Sequence, residues 1–524
     1  MSLEAFLHNL HFDIEKASPP NWEVDWDDAP LTYKLYRDLP VFPLSLEVPL
    51  TLEGESGPSK QDLELEGIGH FLWYTYGLTQ VSQVPRSSES EDLMQSFRRF
   101  PPSGGALYPS ELYVYLNIEG LPAGVYHYDA AHHRLVLLRE GNFDSYVTKA
   151  LGGTIDMSAC FGTVFVSTMF WKNFYKYNNF SYRLQGLDAG VLLGQLLEVA
   201  KRFGIAAGVC FQFLDRAINH LLGLSEEEES TYAAIPISAE PSWRFREERS
   251  MDRPVTSSEL LLELKGIQPE HYVRSQRIRE FPMLTKMNEA SMIESTQSFR
   301  RIHPKNGAES EGEIVALPIV KRLSYDLASV CRKRFSPEMD FVLGKVSQSQ
   351  LAALLQEATA SFSYRNDLDG SNGNCGNRVS LYACLYNVED IQDGAYHYDS
   401  TTHSLLQIQP GDHRLLLQYG MSLDIMNFQQ VPICIHVVGE RNHSKTQLGY
   451  RGYRIQQMEA GMLVQKLLLA SSALGMNGHP LLGFDVSMCD ELYKIDGPQR
   501  KTSLIQIPIG HYLNRPWLKG SLHS

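Results

Sequence analysis

The alternation of apolar and polar positions predicts a mixed α+β chain. From Glu111 to Ile118, Leu112, Val114, Leu116 and Ile118 alternate with Tyr113, Tyr115 and Asn117, the period of a strand. Leu65, Ile68, Leu72 and Tyr76 recur at helical spacing and predict an amphipathic helix over Leu63–Leu78. Further strands are expected at Thr163–Met169 and Val431–Val438. Two long helices follow them, Tyr182–Phe203 and Tyr453–Leu474, the first with Leu187, Val191, Leu196 and Leu197 at helical positions. Residues 1–60 read as an irregular, extended arm over the first domain, because Pro19, Pro20, Pro30, Pro40, Pro43, Pro49 and Pro58 forbid a long helix.

The pattern occurs twice. Gly124-Val125-Tyr126-His127-Tyr128-Asp129 returns as Gly394-Ala395-Tyr396-His397-Tyr398-Asp399, a spacing of 270 (394 − 124). Tyr182-Arg183-Leu184-Gln185 returns as Tyr453-Arg454-Ile455-Gln456, a spacing of 271 (453 − 182). Two matches at nearly one spacing imply two copies of one unit. The division is an arm at 1–60, a first domain at 61–241, a polar linker at 242–317 and a second domain at 318–524. In each copy a strand is expected to lead into a Tyr-His-Tyr-Asp turn. Asp188-Ala189-Gly190 and Glu459-Ala460-Gly461 put small residues on the long helices, which suits close helix approach between copies. Gln297-Ser298-Phe299-Arg300-Arg301 echoes Gln95-Ser96-Phe97-Arg98-Arg99, but its spacing of 202 (297 − 95) breaks the repeat and it reads as coincidence.

Composition narrows the classes. With 524 residues, 43% hydrophobic and 21% charged, the chain fits a globular protein of two domains. A net charge of −14 argues against nucleic-acid binding. No signal-like segment and no long apolar run is visible, so neither secretion nor membrane insertion is expected. Seven cysteines without a C-x-x-C pair suit a reduced, cytoplasmic compartment, and no zinc-type histidine spacing occurs. No G-x-G-x-x-G fingerprint points to a dinucleotide domain.

The candidate chemistry centres on Arg98-Arg99-Phe100-Pro101-Pro102-Ser103-Gly104-Gly105-Ala106-Leu107-Tyr108-Pro109. A Pro-Ser-Gly-Gly turn lets backbone approach a ligand closely and aim N–H groups at it. This stretch, with the Glu-Leu-Tyr-Val-Tyr-Leu strand after it, resembles the flavin-contacting turn of the azoline dehydrogenases. These SagB/McbC-like members of the FMN-dependent nitroreductase superfamily oxidise thiazoline and oxazoline rings in peptides. Pro30 to Tyr36 resembles the entry arm of the same enzymes. The resemblance implies an α+β tandem duplication of a nitroreductase-like domain, forming a pseudo-dimer within one chain.

Such enzymes bind flavin between two subunits, and here the two copies show complementary losses. Copy one keeps Pro102, Ser103, Gly104 and Gly105, with Arg99 nearby; copy two has Asn372-Gly373-Asn374-Cys375-Gly376 instead. Copy two carries Arg332, Arg334 and Ser336, similar to the family's phosphate-binding Arg-x-Ser. It also has Pro480, Gly483 and Phe484 in a Pro-x-x-Gly-Phe form, and the late basic residue Arg515. An arginine fork matches phosphate geometry. The resemblance therefore implies one FMN shared by both copies.

Lys176-Tyr177, ahead of Tyr182-Arg183, resembles the Lys-Tyr pair implicated in azoline dehydrogenase catalysis; copy two has Gln447-Leu448 there. The family more often has glycine after the tyrosine, and Asn178 leaves that turn open. Aromatising an azoline removes a proton and a hydride, and a tyrosinate beside an ammonium could take the proton. The resulting expectation is an FMN-dependent dehydrogenase acting on a peptide or carrier-bound azoline, with a cyclodehydratase complex as a possible partner and a homodimer as a possible assembly. The alternatives are an NAD(P)H-dependent nitro or quinone reductase, and a non-catalytic scaffold subunit of a biosynthetic complex.

Overall fold

The computed structural model describes all residues except 54–63, 86–92, 241–242, 247–250, 252, 303–311, 361–363, 370–377, 498–499, 514–518 and 522–524. The first unit is built on β1 (Ser110–Leu116), β2 (Gly124–Asp129), β3 (Arg134–Glu140), β4 (Gly162–Met169) and β5 (Glu229–Ser238). The second repeats them as β6 (Ser380–Leu385), β7 (Gly394–Asp399), β8 (Ser404–Pro410), β9 (Ile433–Glu440) and β10 (Lys501–Tyr512). Their antiparallel orders are β3-β2-β1-β4-β5 and β8-β7-β6-β9-β10. The duplication is therefore one of topology as well as of motif.

The repeated Tyr-His-Tyr-Asp motif is a strand, not a turn; the turn comes after it. Its side chains explain the recurrence. Tyr128 and Tyr398 bond His133 Nδ1 (2.9 Å) and His403 Nδ1 (2.8 Å), five residues on. Asp129 and Asp399 each accept a backbone N–H two residues on, at 3.1 and 2.8 Å. The alternation along β1 selects faces as expected, but both faces are buried. Leu112, Val114 and Leu116 join the core shared by both copies, while Tyr113 and Tyr115 enter a separate core of the first copy.

The helices in use below are α1 (Leu3–Phe12), α2 (Leu65–Tyr76), α3 (Trp171–Tyr177), α4 (Ser181–Arg202), α5 (Pro282–Ala290), α6 (Leu327–Lys333) and α7 (Arg451–Ala473). α4 and α7 form the central pair, and their equivalent tyrosines meet. Tyr182 stacks on Tyr453 (centroids 5.9 Å, planes at 12°), and Gln195 Oε1 accepts from Gln465 Nε2 at 2.7 Å. A Cβ on Gly190 would lie 2.0 Å from Met458 O, and one on Gly461 would lie 2.2 Å from Leu187 O. The small residues thus do permit backbone contact between copies, and the contact has pseudo-twofold character.

Residues 1–60 are not wholly irregular. The prolines begin only at Pro19, and ahead of them α1 forms with Ser2 as N-cap and with Phe6, Leu7 and Leu10 buried. Nor does the arm cover the first copy alone: His11 Nε2 bonds Thr502 Oγ1 at 2.8 Å, and Glu4 pairs with Lys445 at 2.6 Å. α5, in the polar linker, buries Leu284 and Met287 in the common core. The echo at Gln297–Arg301 has another structure: Thr296–Ser298 is a 3-10 turn, whereas Leu93–Arg99 is a strand.

Chain also crosses between copies. Arg365–Asn366 extends the first sheet by pairing in parallel with Ala206–Val209, and Lys519–Ser521 pairs with Leu78–Pro85. Asp367 then accepts the backbone N–H groups of Phe211 and Gln212, both at 2.9 Å.

Candidate functional site

The Pro102–Gly105 turn is held in a conformation few residues adopt. Gly105, Ala106 and Tyr108 have φ of 64°, 56° and 49°. Positive φ at alanine and tyrosine costs free energy and persists only where surroundings impose it. Ser103 Oγ supplies part of that constraint: it donates to Asp188 Oδ2 (2.7 Å) and accepts from Tyr108 N (2.9 Å). Asp188 Oδ1 accepts from Gly104 N at 3.1 Å. Asp188 lies on α4, so the central helix clamps the turn. Burial pushes its carboxyl up to about 7, against the two hydrogen bonds that favour the anion.

The same turn meets Lys176 and Tyr177 at the end of α3. A Cβ on Gly105 would stand 2.6 Å from Tyr177 Oη and 2.9 Å from Lys176 Nζ. Residues adjacent in sequence usually point apart; here both polar ends reach one glycine. Asn178, just after them, has φ 44° and ψ −136°, and the copy-two equivalent Gly449 has φ 59° and ψ −147°. The turn is the one glycine would make, and asparagine adopts it.

Tyr177 does not have the depressed pKa expected of a tyrosinate base. Burial, then the nearby Asp188 charge, pushes it up to about 12. Lys176 Nζ sits over the ring, 4.9 Å from its centroid, and Trp26 lies on another side at 5.4 Å. Burial pushes the Lys176 ammonium down. The lysine, not the tyrosine, is thus the group eased towards its basic form. In copy two, Gln447 and Leu448 sit on a short helical turn at Lys445–Leu448.

Copy two reaches the turn through Arg334, which caps α6. Its Nε donates to Phe100 O at 2.9 Å. Its Nη1 is sealed from solvent and has no hydrogen-bond partner among the described residues. Burial, and the charge of Arg98 among its neighbours, press against its charged form. His479 approaches the same place: its Nδ1 bonds Pro337 O at 2.6 Å, and it feels the charges of both Arg98 and Arg334. Ser336 is half-buried in the segment between Arg334 and Pro337. Asp188, Arg98 and His479 were not singled out as site residues; Arg98 adjoins the selected Arg99 and His479 adjoins Pro480, so only proximity could have drawn attention to them.

Other expected residues stand elsewhere. Arg99 is 2% exposed, its guanidinium donating to Tyr76 O and to Thr32 O (2.9 Å) and stacking on Tyr76 at 4.1 Å. It ties the arm to α2, and its Nε is sealed with no hydrogen-bond partner among the described residues. Arg332 is exposed and donates to Leu50 O at 2.9 Å, away from the sealed nitrogen of Arg334. Gly483 O accepts from Ser422 N at 3.0 Å. Phe484 packs on His436, centroids 5.7 Å, in the second copy's own core. Pro480 is half-buried beside His479. Arg515 and Asn372–Gly376 lie outside the described residues.

The pseudo-symmetric counterpart of the turn's clamp is differently used. Glu459, at the position of Asp188, is bound by Arg378 Nε (2.8 Å) and Tyr364 Oη (2.7 Å), and Arg378 also pairs with Asp369 (2.5 Å).

No family model matches the sequence. A crystal structure from Anabaena variabilis assigned as a nitroreductase superposes on 98% of this chain and 99% of its own, with a TM-score of 0.73 and 19% identity. The trifolitoxin-processing protein TfxB of Rhizobium leguminosarum bv. trifolii is 26% identical over 231 residues. The chain has the nitroreductase-like fold. The near-complete superposition means that both copies, and not one alone, share it. The TfxB match covers 43% of this chain, and the chain spans 60% of that relative's length. The microcin synthetase McbBCD complex of E. coli, with truncated pro-MccB17 bound, aligns with 36% of the chain and 66% of its own at 20% identity and a TM-score of 0.28, too low to weigh.

Proposed function

We propose that this protein is an FMN-dependent dehydrogenase that oxidises thiazolines or oxazolines, carried on a peptide, to thiazoles or oxazoles. One observation carries the reading. The strained turn of copy one touches Lys176 and Tyr177, and the carbonyl before it is gripped by Arg334 of copy two. The similarity to TfxB, a protein named for processing trifolitoxin, favours a peptide substrate and a biosynthetic complex.

The residues fit FMN. Arg334 Nη1, buried and unpartnered, suits a phosphate oxygen, with Arg98, Ser336 and His479 beside it. Pro102–Gly105 can lie against a flat ring through its backbone, while the space left by the missing Gly105 side chain brings Tyr177 and Lys176 up to the turn. Bound FMN would supply the acceptor for the hydride equivalent. Lys176, eased towards the neutral amine, takes the proton from the azoline ring carbon. Tyr177, held as the phenol, donates a hydrogen bond and orients the ring. The Lys176 ammonium then returns its proton to solvent past half-exposed Trp26.

The purified protein incubated with a peptide azoline should yield a product lighter by two hydrogens while oxygen is consumed. It should also carry a flavin absorbance band. Strict dependence on NAD(P)H, with reduction of nitroarenes and no azoline oxidation, would assign it instead to the reductases. Absence of flavin would leave a scaffold role.

A further inference from the structure

A cavity of about 150 Å³ lies where the N-terminal part of α7 meets α1; its wall is mostly apolar, with Glu4, His8, Arg441, His443, Lys445 and Gln457 among its polar residues. The pseudo-twofold relation between copies shows what is missing there. On the copy-one side, the Tyr182 hydroxyl bonds Ser291 Oγ at 3.3 Å, just beyond α5. Arg454 pairs with Asp215 at 3.0 Å and reaches Asn288 at 3.4 Å. Their counterparts, Tyr453 and Arg183, lack such partners. The Tyr453 hydroxyl is sealed and unbonded. Arg183 is 1% exposed and donates from Nη2 to Leu504 O at 2.6 Å; Nε is unbonded in both arginines, but among the described residues no carboxylate pairs with Arg183 as Asp215 pairs with Arg454.

Gln457 adds a second, independent observation. Its side chain is 0% exposed, it lines the cavity, and neither its amide nitrogen nor its oxygen has a partner. His443 Nε2 is also unbonded. A buried polar group without a partner costs on the order of 1–3 kcal/mol, so four such atoms around one cavity mark a place built for something polar. The charge is equally one-sided. Arg441 faces it, with Arg183 behind; Lys445 is paired with Glu4, and burial pushes His443 down to about 4 and His11 well down, so neither of these histidines adds charge near neutrality. The one carboxylate in the lining, Glu4, is taken by Lys445 and Tyr450. Asp490, further back, is held by Thr502 Oγ1 and Ser503 N, each at 2.7 Å.

We propose that this cavity binds a carboxylate flanked by a secondary amide, the group shared by an N-acyl amino acid and a peptide C-terminus. The cations would neutralise the carboxylate, and Gln457 would give one donor and one acceptor to the amide.

N-acetylalanine titrated calorimetrically into the full chain should bind in the millimolar range or tighter. N-acetylalaninamide, which lacks the charge, and acetate, which lacks the amide, should each bind at least tenfold more weakly. A tetrapeptide acid ending in alanine that binds comparably would identify a chain end as an admissible source; its failure beside N-acetylalanine binding would restrict the site to free small molecules. Gln457→Leu should weaken binding at least tenfold while raising the melting temperature of the ligand-free protein, since it removes two unsatisfied groups. If Gln457→Leu does not fold, Tyr453→Phe serves, with a several-fold loss expected. No binding of N-acetylalanine, equal binding of the amide, or unchanged binding in the folded variants would overturn the proposal and leave a hydrated void.

Discussion

Lys176 and Tyr177 converge because α3 ends beneath them and Gly105 leaves room above. If Lys176 is the base, Lys176→Ala should keep its flavin and lose azoline oxidation by about 10²-fold or more. The wild-type rate should rise with pH through a lysine pKa that burial has lowered, because only the neutral amine accepts a proton. That limb should vanish in the variant. Tyr177→Phe should cost activity without moving the limb, since burial and Asp188 keep the phenol protonated to about pH 12. A limb that moves in Tyr177→Phe and stays in Lys176→Ala would reverse the two roles.

Asp188 makes a separate prediction at the same scale. Its carboxyl titrates at about 7 when folded against an ordinary 3.8. A raised pKa means the native state holds the extra proton, so this group's contribution is fullest below pH 4 and is lost as pH rises to about 7. Asp188→Asn should remove that loss. The stability difference between variant and wild type, read from denaturant curves, should therefore grow in the variant's favour between those limits by up to a few kcal/mol. A parallel pair of curves would show that Asp188 is not the titrating group.

At the scale of elements, the α4–α7 contact is sensitive at its two glycines. At Gly190 and Gly461 backbone lies against backbone, so no side chain can move aside. Gly190→Ala would set a Cβ 2.0 Å from Met458 O. Overpacking of this kind typically costs 1–3 kcal/mol, and here the rigid carbonyl sets the cost at about 3 kcal/mol or more. Chemical denaturation should show that loss with flavin binding weakened as well, because α4 also carries Asp188. Gly411→Ala, where a Cβ meets nothing within 4 Å, is a useful contrast. There the strain of φ 109° acts alone, away from the pair.

For the whole molecule, the expected stoichiometry is one FMN per chain. Copy two has Glu459 bound by Arg378 and Tyr364 where copy one has Asp188 clamping the turn. Arg334→Ala should therefore release flavin, with a loss of several kcal/mol of binding as the phosphate loses its partner. Ser103→Pro should do the same from the other copy, by removing the hydroxyl that joins Asp188 to Tyr108. Absorbance after gel filtration measures both. Two flavins per chain, or full retention in Arg334→Ala, would refute a shared site.

Sequence by itself determined the duplication and the fold, because repeats and hydrophobic period report on which face of each element is buried. The two offsets, the long helices and the glycines at 190 and 461 were legible for that reason. So was the turn at Pro102–Gly105, whose local geometry needs those residue types. Tertiary structure decided which charges are available. Nothing in Arg98-Arg99 or Arg332-Lys333-Arg334 says which arginines are exposed and which are sealed with an unbonded nitrogen, as Arg99 Nε and Arg334 Nη1 are among the described residues; that depends on the packing of the folded chain. It likewise displaced the Lys176 and Tyr177 pKa values in opposite directions, since burial is a property of the folded chain alone.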